Sequence, residues 1–446
     1  SLNSGKPKDS STARHAFTHP TPPPREFQRM KVAIIGAGVI GVTTAYELAA
    51  QGHQVRVFER NSAAAEATSF ANAGVMSAGY AAPWARPGMP RHLLAHLWQR
   101  DTSLRIGRLS RHELRWLWQF WKACDSATFA RNREHMLRLA LYSQQRIQTL
   151  TSTLNLAHDR APGYMVLLRS ERERQLIAPS LQVMRDAGLS IKSLNAEEAR
   201  AIEPALSPDT ALAEAIHFAD DEVSNCRQFA LLLKSEAEAL GVQFHFNVQV
   251  QPLSPNQPRT IRCTPEDTGE TFDAVVVCAG IASAPLTRSL GLRIPLAAVH
   301  GYSLSAAVRE PLDAPRSGVM DERYKVAISR LGQRIRVSGG SEIGGHANKH
   351  DSANIKTLYR VLNDWFPGAA RTQDNVQVWK SARPMLADGP PILGASGIPG
   401  VWLNLGHGAS GWTLACGSAR ILADGISGRN SEINLQGLGL ERLQPT

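Results

Sequence analysis

The most regular pattern of apolar and polar positions begins just after residue 30. An apolar run from Val32 to Ile35 leads into a turn with glycines, and apolar residues then recur at helical spacing to about Ala50. Gly52 is placed to end that helix, and a second apolar run, Val55 to Phe58, follows at once. Two short apolar runs joined by a helix are typical of parallel strands. The pattern therefore predicts a strand, a helix and a second strand in parallel.

A related pattern returns after residue 224. Asn225 is placed to cap a helix that runs to Leu240 and stops at Gly241, because asparagine accepts hydrogen bonds from the first turn and glycine ends helices. Two strand candidates follow, at 242–250 and 274–278. This second block is predicted to belong to the same domain as the first.

Between these blocks the pattern is different. Residues from about 91 to 217 have a mostly helical pattern with a strand near Met165–Leu168, and residues from about 291 to 384 contain alternating runs such as Lys325–Ser329 and Arg334–Val337. We predict an α/β fold with a discontinuous nucleotide-binding domain, residues 30–90, 218–290 and 385–446. The second predicted domain, residues 91–217 and 291–384, is α+β with an antiparallel sheet and covers the substrate.

Length and composition agree with two domains. The chain has 446 residues, of which 43% are hydrophobic and 20% charged, whereas single cores stop growing at roughly 250–300 residues. We find no apolar run of about 18 residues, the length that a membrane-spanning helix needs, which favours a soluble or peripheral protein. Residues 1–29 are rich in Ser, Thr and Pro. We expect this tail to lack fixed structure and to be a targeting sequence or a remnant of expression.

Charge and cysteine usage narrow the functional classes. The formal net charge is +10, but no zinc-finger or RNA-binding signature accompanies it, so a nucleic-acid partner is not expected. The five cysteines are scattered singly without a CxxC pair, which argues against a zinc cluster and a disulfide framework and favours a reducing cytoplasm. No other metal-ligand spacing is evident, and no metal site is predicted.

The turn after the first strand reads Gly36-Ala37-Gly38-Val39-Ile40-Gly41. Glycines at this spacing permit a tight turn and a close approach of the backbone to a pyrophosphate, whose charge the helix start stabilises. Glu59 ends the second strand and is placed to accept hydrogen bonds from a ribose. A GxGxxG motif alone is weak evidence, but here it has its full strand and helix context. It predicts a dinucleotide site.

Two later segments indicate which dinucleotide binds. Residues 273–280 form an apolar run that ends in a small-residue turn at Ala279 and Gly280, as two-part FAD folds place beside the nucleotide. Residues 406–412 are a glycine-rich loop that leads into a helical run from Thr413 to Ala423. Free amides at such a helix start can stabilise negative charge on a reduced flavin. A nicotinamide enzyme has no need of this element, so the segments favour FAD.

Arg383 is the main candidate for substrate binding. It lies in the stretch 382–394, which is rich in Pro, Gly and apolar residues. An arginine can bind a substrate carboxylate through two parallel hydrogen bonds and so orient the Cα–H bond toward a flavin. An isolated arginine is more often part of a surface or interdomain ion pair, so the prediction depends on its position in this stretch.

A tryptophan-rich stretch allows two interpretations. Leu114, Leu117, Trp118 and Trp121 fall at helical spacing, which predicts a buried core face or a lid. The alternative is a basic, aromatic helix that docks at a membrane surface near a quinone acceptor.

Taken together, residues from about Met30 to Gly428 resemble the bacterial D-amino-acid dehydrogenase branch of the glycine oxidase and D-amino-acid oxidase superfamily. The most specific agreement lies in Thr68-Ser69-Phe70-Ala71-Asn72-Ala73-Gly74, continuing through Ser77, Gly79-Tyr80-Ala81-Ala82-Pro83-Trp84 and Pro87-Gly88. Further agreement lies in Gly301-Tyr302-Ser303, Asp321-Glu322, Tyr324-Lys325 and Arg334-Ile335-Arg336-Val337. Two segments depart from the usual pattern, His300 and Pro162-Gly163-Tyr164. Because both are expected near the pocket, they leave the identity of the substrate open.

The resemblance implies a two-part, Rossmann-like FAD domain and a set of cofactor contacts. These are Gly36, Ala37, Gly38, Val39, Ile40, Gly41, Glu59, Arg60, Ser69, Asn72, Ala73, Gly74, Val250, Ala279, Gly280, Gly406, His407, Gly408, Ser410, Gly411 and Trp412. It also places Arg383 at the carboxylate-binding position, with Tyr302 and Tyr324 as candidates for the catalytic pocket wall. For either tyrosine a plain core position is an equal alternative.

The implied reaction is oxidative deamination of a D-amino acid to a 2-oxo acid and ammonia, with electrons passed to a quinone or another respiratory acceptor. The expected location is the cytoplasm, with possible peripheral contact at the inner face of the plasma membrane. Two alternatives stay open. The first is a cyclic or secondary amine such as D-proline or D-hydroxyproline, and the second is a flavin-bearing electron-transfer subunit of a larger complex.

Overall fold

The computed structural model describes residues 28–89, 104–265, 269–345 and 349–443. The tail predicted over residues 1–29 lies almost wholly outside the described residues, as do residues 91–103 of the predicted covering domain. The helices are α1 (Val39–Ala50), α2 (Arg111–Lys122), α3 (Ser126–Thr153), α4 (Glu171–Asp186), α5 (Ala196–Ile202), α6 (Cys226–Ala239), α7 (Ser283–Arg288), α8 (Ser352–Trp365) and α9 (Gly411–Ile426).

The strands belong mainly to two large sheets. In the first half of the chain they are β1 (Lys31–Ile35), β2 (Gln54–Phe58), β3 (Val75–Met76), β4 (Leu104–Ile106), β5 (Arg160–Leu168), β6 (Ile191–Leu194) and β7 (Glu214–Ser224). They continue with β8 (Gln243–His245), β9 (Gln249–Val250), β10 (Thr260–Ile261), β11 (Cys263–Thr264), β12 (Glu270–Thr271) and β13 (Ala274–Val277). The last are β14 (Leu296–Ala307), β15 (Gly318–Asp321), β16 (Val326–Leu331), β17 (Arg334–Ile343), β18 (Gln377–Leu386), β19 (Ile392–Ala395) and β20 (Val401–Leu405).

The first sheet has six strands in the order β19-β20-β13-β1-β2-β8. Strand β1 pairs in parallel with both β13 and β2, so that Val32 lies between Ala274 and Val55, while β19 pairs antiparallel to β20 at the edge. The predicted strand, helix and parallel strand are therefore confirmed. Helices α1, α6 and α9 pack on one face around a core that includes Leu48, Phe229 and Leu422.

The second sheet has ten strands, eight of them in the order β18-β14-β17-β16-β15-β5-β7-β3. Its strands pair mostly antiparallel, and helix α8 packs on one face through Leu358, Leu362 and Trp365. Because side chains alternate across a strand, the face of this sheet that points away from α8 carries the alternate residues of each strand. Mixed α/β structure with a large, mainly antiparallel second sheet agrees with the predicted fold class. The predicted domain boundaries stay predictions, and strand β7 crosses the one at residue 217.

One predicted strand was too long. The stretch 242–250 forms two short strands, β8 and β9, which join different partners: β8 pairs in parallel with β2 and β9 pairs antiparallel with β11. Asn247 between them has φ of 57°, a left-handed conformation that asparagine adopts more readily than most residues. Asn247 lies in the break between the two strands, and its conformation is incompatible with a continuous strand.

The buried face predicted for the tryptophan-rich helix was wrong. In α2 the buried residues are Trp116 and Phe120, which are 1% and 2% exposed. Leu114, Trp118 and Trp121 are 55%, 59% and 55% exposed. The apolar residues of the helix cover a broad arc of its surface, wider than one packing stripe, so spacing alone could not decide which part of it the fold would cover. None of the helices in the described ranges combines the length and the hydropathy needed to cross a bilayer.

Candidate active site

A cavity of about 670 Å³ lies between the two large sheets. The carboxyl ends of β1, β2, β13 and β20 form one side of it, and strands β14, β17 and β18 form the other. Ligands of open parallel sheets bind outside the carboxyl ends of the strands, where loops and helix starts converge. The position of the cavity therefore agrees with a nucleotide site.

The glycine turn after β1 allows neighbouring backbone to approach it closely. Gly36 has φ of 104°, and a Cβ atom at this position would lie 2.7 Å from the carbonyl oxygen of Cys278. A Cβ atom at Gly41 would lie 1.8 Å from the carbonyl oxygen of Gly36. Any larger residue at either position would force the turn, helix α1 and strand β13 apart.

Two long helices begin at the cavity without a hydrogen bond from the side chain of their own N-cap residue. Helix α1 follows Gly38 and helix α9 follows Ser410, and neither of these residues supplies a capping hydrogen bond. The amide of Val39 donates instead to the hydroxyl of Ser69, at 3.1 Å. Uncapped helix starts carry partial positive charge and attract anions. The cavity thus has two separate positions that favour negative charge on a ligand.

Glu59 stands at the end of β2 and lines the same cavity. Its Oε2 accepts a hydrogen bond from the amide of Ala37 at 2.7 Å, and its Oε1 accepts one from the amide of Asn61 at 2.9 Å. A carboxylate offers about four acceptor positions. It therefore keeps capacity for the hydroxyls of a ligand after fixing the glycine turn.

Arg383 lies on β18 and lines the cavity from the second sheet. Its Nη1 donates to the carbonyl oxygen of Gly340 at 3.0 Å and to Oγ of Ser341 at 3.3 Å. No acidic side chain of the described residues forms an ion pair with it. Burial lowers the pKa of Arg383 to about 10, so the guanidinium is still a cation at neutral pH. Within the described ranges it is a cation without an acidic partner.

Gly301 makes room for that guanidinium. A Cβ atom at Gly301 would lie 2.3 Å from Nη2 and 2.4 Å from Cζ of Arg383. On β14, Gly301 pairs with Ser381, whereas Arg383 pairs with Val299. The arginine side chain therefore crosses over the neighbouring strand at the one position that has no side chain.

A second group of cavity residues was not among the predicted site residues, although the segment of Tyr164 was expected near the pocket. It comprises Tyr80, Tyr164, Met320 and Lys325. The rings of Tyr80 and Tyr164 meet edge to face with centroids 5.5 Å apart, and the Tyr164 hydroxyl donates to Sδ of Met320 at 3.2 Å. Tyr164 is the part of the unusual Pro162-Gly163-Tyr164 segment that reaches the cavity, whereas His300 does not line it.

His407 lies in the predicted flavin loop but is not placed to exchange protons. Its Nε2 is 2.9 Å from Oγ of Ser418 in α9, and burial lowers the pKa of His407 to about 3. The ring is therefore neutral at physiological pH. Its contact with α9 fixes the loop against the helix start.

The two tyrosines predicted for the pocket wall do not face Arg383. The Tyr302 hydroxyl donates to Glu342 and accepts from the amide of Asp351, and its ring packs in the core beneath α8. Tyr324 is not among the cavity residues and packs against the Arg169 guanidinium, 5.2 Å from its ring centroid. Strand alternation turns the Tyr302 ring to the face of the sheet that α8 covers, although Tyr302 also contributes to the lining of the cavity. A role of the two tyrosines in the pocket wall stays a prediction.

Comparison with known proteins assigns the family. Residues 31–425 match the sequence profile of the DAO family, described as FAD dependent oxidoreductase. The chain belongs to this family. It is similar to the D-amino acid dehydrogenases of Cereibacter sphaeroides, at 41% identity over 93% of this chain and 95% of the relative, and of Allorhizobium ampelinum, at 38% identity over 93% and 98%. The fold is similar to that of glycine oxidase from Geobacillus kaustophilus, with a TM-score of 0.73 at 20% identity over 92% of this chain and 98% of that one.

The family's cofactor, FAD, fits the residues that line the cavity. Side chains would fill the glycine turn at Gly36, and two uncapped helix starts face the same space. These are the features that a diphosphate and an electron-rich ring need. We propose that the start of α1 holds the diphosphate, that Glu59 binds the adenosine ribose, and that the start of α9 faces the flavin ring.

Most of the predicted site residues lie around this one cavity. Those that line it are Gly36, Gly38, Val39, Ile40, Glu59, Arg60, Ser69, Asn72, Ala73, Val250, Ala279, Gly280, Tyr302, Arg383, Gly406, His407, Gly408, Ser410, Gly411 and Trp412. Those that do not are Ala37, Gly41, Gly74 and Tyr324. The first three of these support the lining from behind; Gly74, for example, has φ of 75° and leaves no room for a Cβ atom beside the Ser224 carbonyl.

Replacing Glu59 with glutamine should weaken FAD binding by about tenfold or more, since the substitution removes a charge-assisted acceptor for the Ala37 amide and for the ribose. The measurement is the flavin-to-protein absorbance ratio after exhaustive desalting. Glu66, which is half-buried, does not line the cavity and bonds locally to Ser62 and to the Ala63 amide, provides the matched control as Glu66→Gln. Full retention of flavin by the Glu59 variant would remove the carboxylate from the cofactor site.

A buried acid beside the cavity should make stability depend on pH. Burial raises the pKa of Asp221 to about 6, against hydrogen bonds from Ser77 and Gln144 that lower it. The folded protein thus holds this proton more tightly than the unfolded chain, and its stability falls as pH rises through the interval between the two pKa values. Between about pH 5 and pH 8, the free energy of unfolding should fall by about 1 kcal/mol more in the wild type than in Asp221→Asn.

Denaturant titrations at both pH values measure this difference. The control is Asp220→Asn, because Asp220 is the adjacent but exposed acid. Equal pH dependence in wild type and Asp221→Asn would contradict the assignment.

Proposed function

We propose that the protein is an FAD-dependent dehydrogenase that deaminates D-amino acids to 2-oxo acids and ammonia. The observation that carries this proposal is Arg383, an enclosed cation that lines the cofactor cavity and has no acidic partner in the part of the chain that the structure describes. A buried charge is costly unless it is paired. A substrate carboxylate would supply the missing partner. The named activity of the relatives from Cereibacter sphaeroides and Allorhizobium ampelinum agrees with an amino-acid substrate.

Arg383 contributes orientation as well as charge. Its Nη1 is held by the Gly340 carbonyl and by Ser341, which fixes the plane of the guanidinium while other donors stay available for a carboxylate. Two parallel hydrogen bonds would then fix the substrate in one orientation with its Cα–H bond toward the cofactor side of the cavity. FAD, when bound, supplies the acceptor for the hydride of that bond.

The reaction places little demand on protein acids and bases. If the substrate amine binds in its neutral form, loss of the Cα hydride leaves an iminium that releases one N–H proton to solvent. Water then hydrolyses the resulting imine to the 2-oxo acid and ammonia. His407 is neutral and bonded to Ser418, so it is not needed as a base. Positioning by Arg383 and charge stabilisation at the start of α9 would supply most of the catalysis.

The electrons are proposed to pass to a quinone or another respiratory acceptor. This view is supported by the name dehydrogenase, in place of oxidase, for the relatives of highest identity reported above. A cytoplasmic protein with peripheral contact at the inner face of the plasma membrane would reach such an acceptor. The amine class is proposed to be primary, with D-proline and its hydroxy derivatives as the alternative.

Turnover assays test this function and its acceptor together. The purified holoenzyme is mixed with D-alanine, D-proline or L-alanine and either a soluble quinone analogue or oxygen alone. The proposal expects 2-oxo acid and ammonia in equal amounts from D-alanine, with faster turnover on the quinone than on oxygen. Product from D-proline alone would favour the cyclic-amine alternative. Turnover with oxygen at the quinone rate would make the protein an oxidase, and turnover only with an added protein partner would favour the electron-transfer subunit.

A further inference from the structure

Helix α2 presents an apolar surface that the described residues leave exposed. Leu114, Trp118 and Trp121 lie on this surface, and each is more than half exposed. At about 100° per residue, the three side chains fall within about 60° of one another around the helix axis. They form one continuous stripe and not a set of scattered exposures. We call it the tryptophan stripe.

Basic residues border the tryptophan stripe on one side. Arg111, Arg115 and Lys122 are exposed and follow the stripe around the helix, and Lys122 Nζ lies 3.6 Å from the centroid of the Trp118 ring. The acid of this helix, Glu113, is turned into the capping box with Ser110. The solvent-facing side of α2 is therefore apolar and cationic, without an acidic side chain directed to it.

The opposite side of α2 fixes the helix beside the active site. Trp116 and Phe120 stack with centroids 5.2 Å apart, and Trp116 Nε1 donates to the Met385 carbonyl at 3.0 Å. Met385 is two residues from Arg383 on strand β18. The tryptophan stripe thus has a fixed orientation, and it lies on the outside of the wall that lines the cavity.

We propose that the tryptophan stripe of α2 binds the surface of an anionic lipid bilayer. Tryptophan side chains prefer the boundary between head groups and acyl chains, and adjacent arginine and lysine residues pair with lipid phosphates. Helix α2 lies in the plane of the membrane and inserts Leu114, Trp118 and Trp121 by one side-chain length. This inference deepens the proposed function and rests on it in one respect. A membrane bound at α2 would supply the lipid-soluble electron acceptor close to the cavity.

Charge selects this partner over a second copy of the chain. The formal net charge is +10, so two copies that meet through basic stripes repel each other, whereas an anionic surface attracts both the stripe and the whole molecule. The absence of acids on the exposed side of α2 also leaves the basic border unpaired within the helix.

The test uses the FAD-loaded full chain and sedimentation with vesicles. One set of vesicles is pure phosphatidylcholine and the other contains phosphatidylglycerol. Binding is expected to the anionic vesicles at low salt, with weakening on the order of 100-fold in the triple variant Arg111→Gln, Arg115→Gln, Lys122→Gln. The double variant Trp118→Ala, Trp121→Ala is expected to lose about tenfold or more in affinity.

Leu176 and Leu312, exposed apolar residues outside α2, give a matched control as a double alanine variant, which is expected to bind vesicles like the wild type. Flavin reduction by D-amino acids is recorded for each variant without vesicles. Unchanged reduction with lost vesicle binding is the expected result, whereas lost reduction with intact vesicle binding would count against the proposed function alone.

Three results would overturn the proposal. The first is wild-type protein that stays in the supernatant with anionic vesicles, and the second is equal binding by the wild type and both α2 variants. The third is a change in oligomeric state of the α2 variants without any change in vesicle binding, which would assign the tryptophan stripe to contact between copies of the chain.

Discussion

Arg383→Gln is expected to raise KM for D-amino acids and to lower kcat/KM by about 10²-fold or more, while the absorbance spectrum of the bound flavin stays unchanged. Glutamine keeps polar atoms at the site but has no positive charge and no forked pair of donors. Because Arg383 has no acidic partner among the described residues, its removal leaves no protein carboxylate unpaired. The substitution should therefore affect substrate binding and not folding.

Steady-state kinetics and flavin content measure both parts of this expectation. Arg330→Gln is the matched control, since Arg330 lies on the same sheet and bonds only to the backbone near the surface. An Arg383 variant with wild-type KM would remove the residue from the substrate site. Loss of flavin together with activity would instead make its role one of cofactor binding.

Gly301→Ala is expected to reproduce much of the Arg383 defect without touching the arginine. The added methyl group would lie 2.3 Å from Nη2 of Arg383, so the guanidinium must move. A displacement of about 1 Å in a group that orients the substrate can cost about 10²-fold in rate. We expect kcat/KM to fall by about that factor, with flavin still bound.

The double variant distinguishes displacement from a general disturbance of strand β14. If alanine acts only through Arg383, the double variant Gly301→Ala, Arg383→Gln should be no worse than Arg383→Gln alone. Losses that multiply in the double variant would show that Gly301 has a separate role. Activity of Gly301→Ala equal to the wild type would contradict the contact between the two residues.

The cofactor half of the site could be predicted from the sequence because its signals are local. Gly36 has a positive φ, Gly41 packs on the carbonyl oxygen of Gly36, and Glu59 ends the next strand. Asn225 likewise caps α6 by bonding to the amide of Gln228. Such positions are fixed by backbone conformation, which leaves a direct trace in residue type.

The substrate half of the site depends on the pairing of strands that are far apart in the chain, and the sequence indicates such pairing only weakly. Gly301 and Arg383 are far apart in the chain and meet only because β14 and β18 pair in one register. The same register turns Tyr302 to the face covered by α8, and no local pattern indicates this. Once β14 and β18 are known to pair, the alternation of side chains along β14 predicts that Ser303 and Tyr302 lie on opposite faces of the sheet.

Helix α2 illustrates a further limit. Trp116 and Trp118 are both large and apolar, yet Trp116 is buried while Trp118 is exposed. Burial is decided by the strands that α2 meets, through the contact of Trp116 with Met385. A helix with apolar residues on several sides therefore needs tertiary contacts to show which side is the core and which is a surface for a partner.

Anaerobic mixing of the purified holoenzyme with single amino acids is the most direct test of the central claim. The absorbance of the bound flavin reports transfer of electrons from the substrate without any acceptor. We predict that the flavin is bleached by D-amino acids and stays oxidised with their L-enantiomers. A flavin that stays oxidised with every amino acid, or is bleached by L-amino acids alone, would contradict the proposed function.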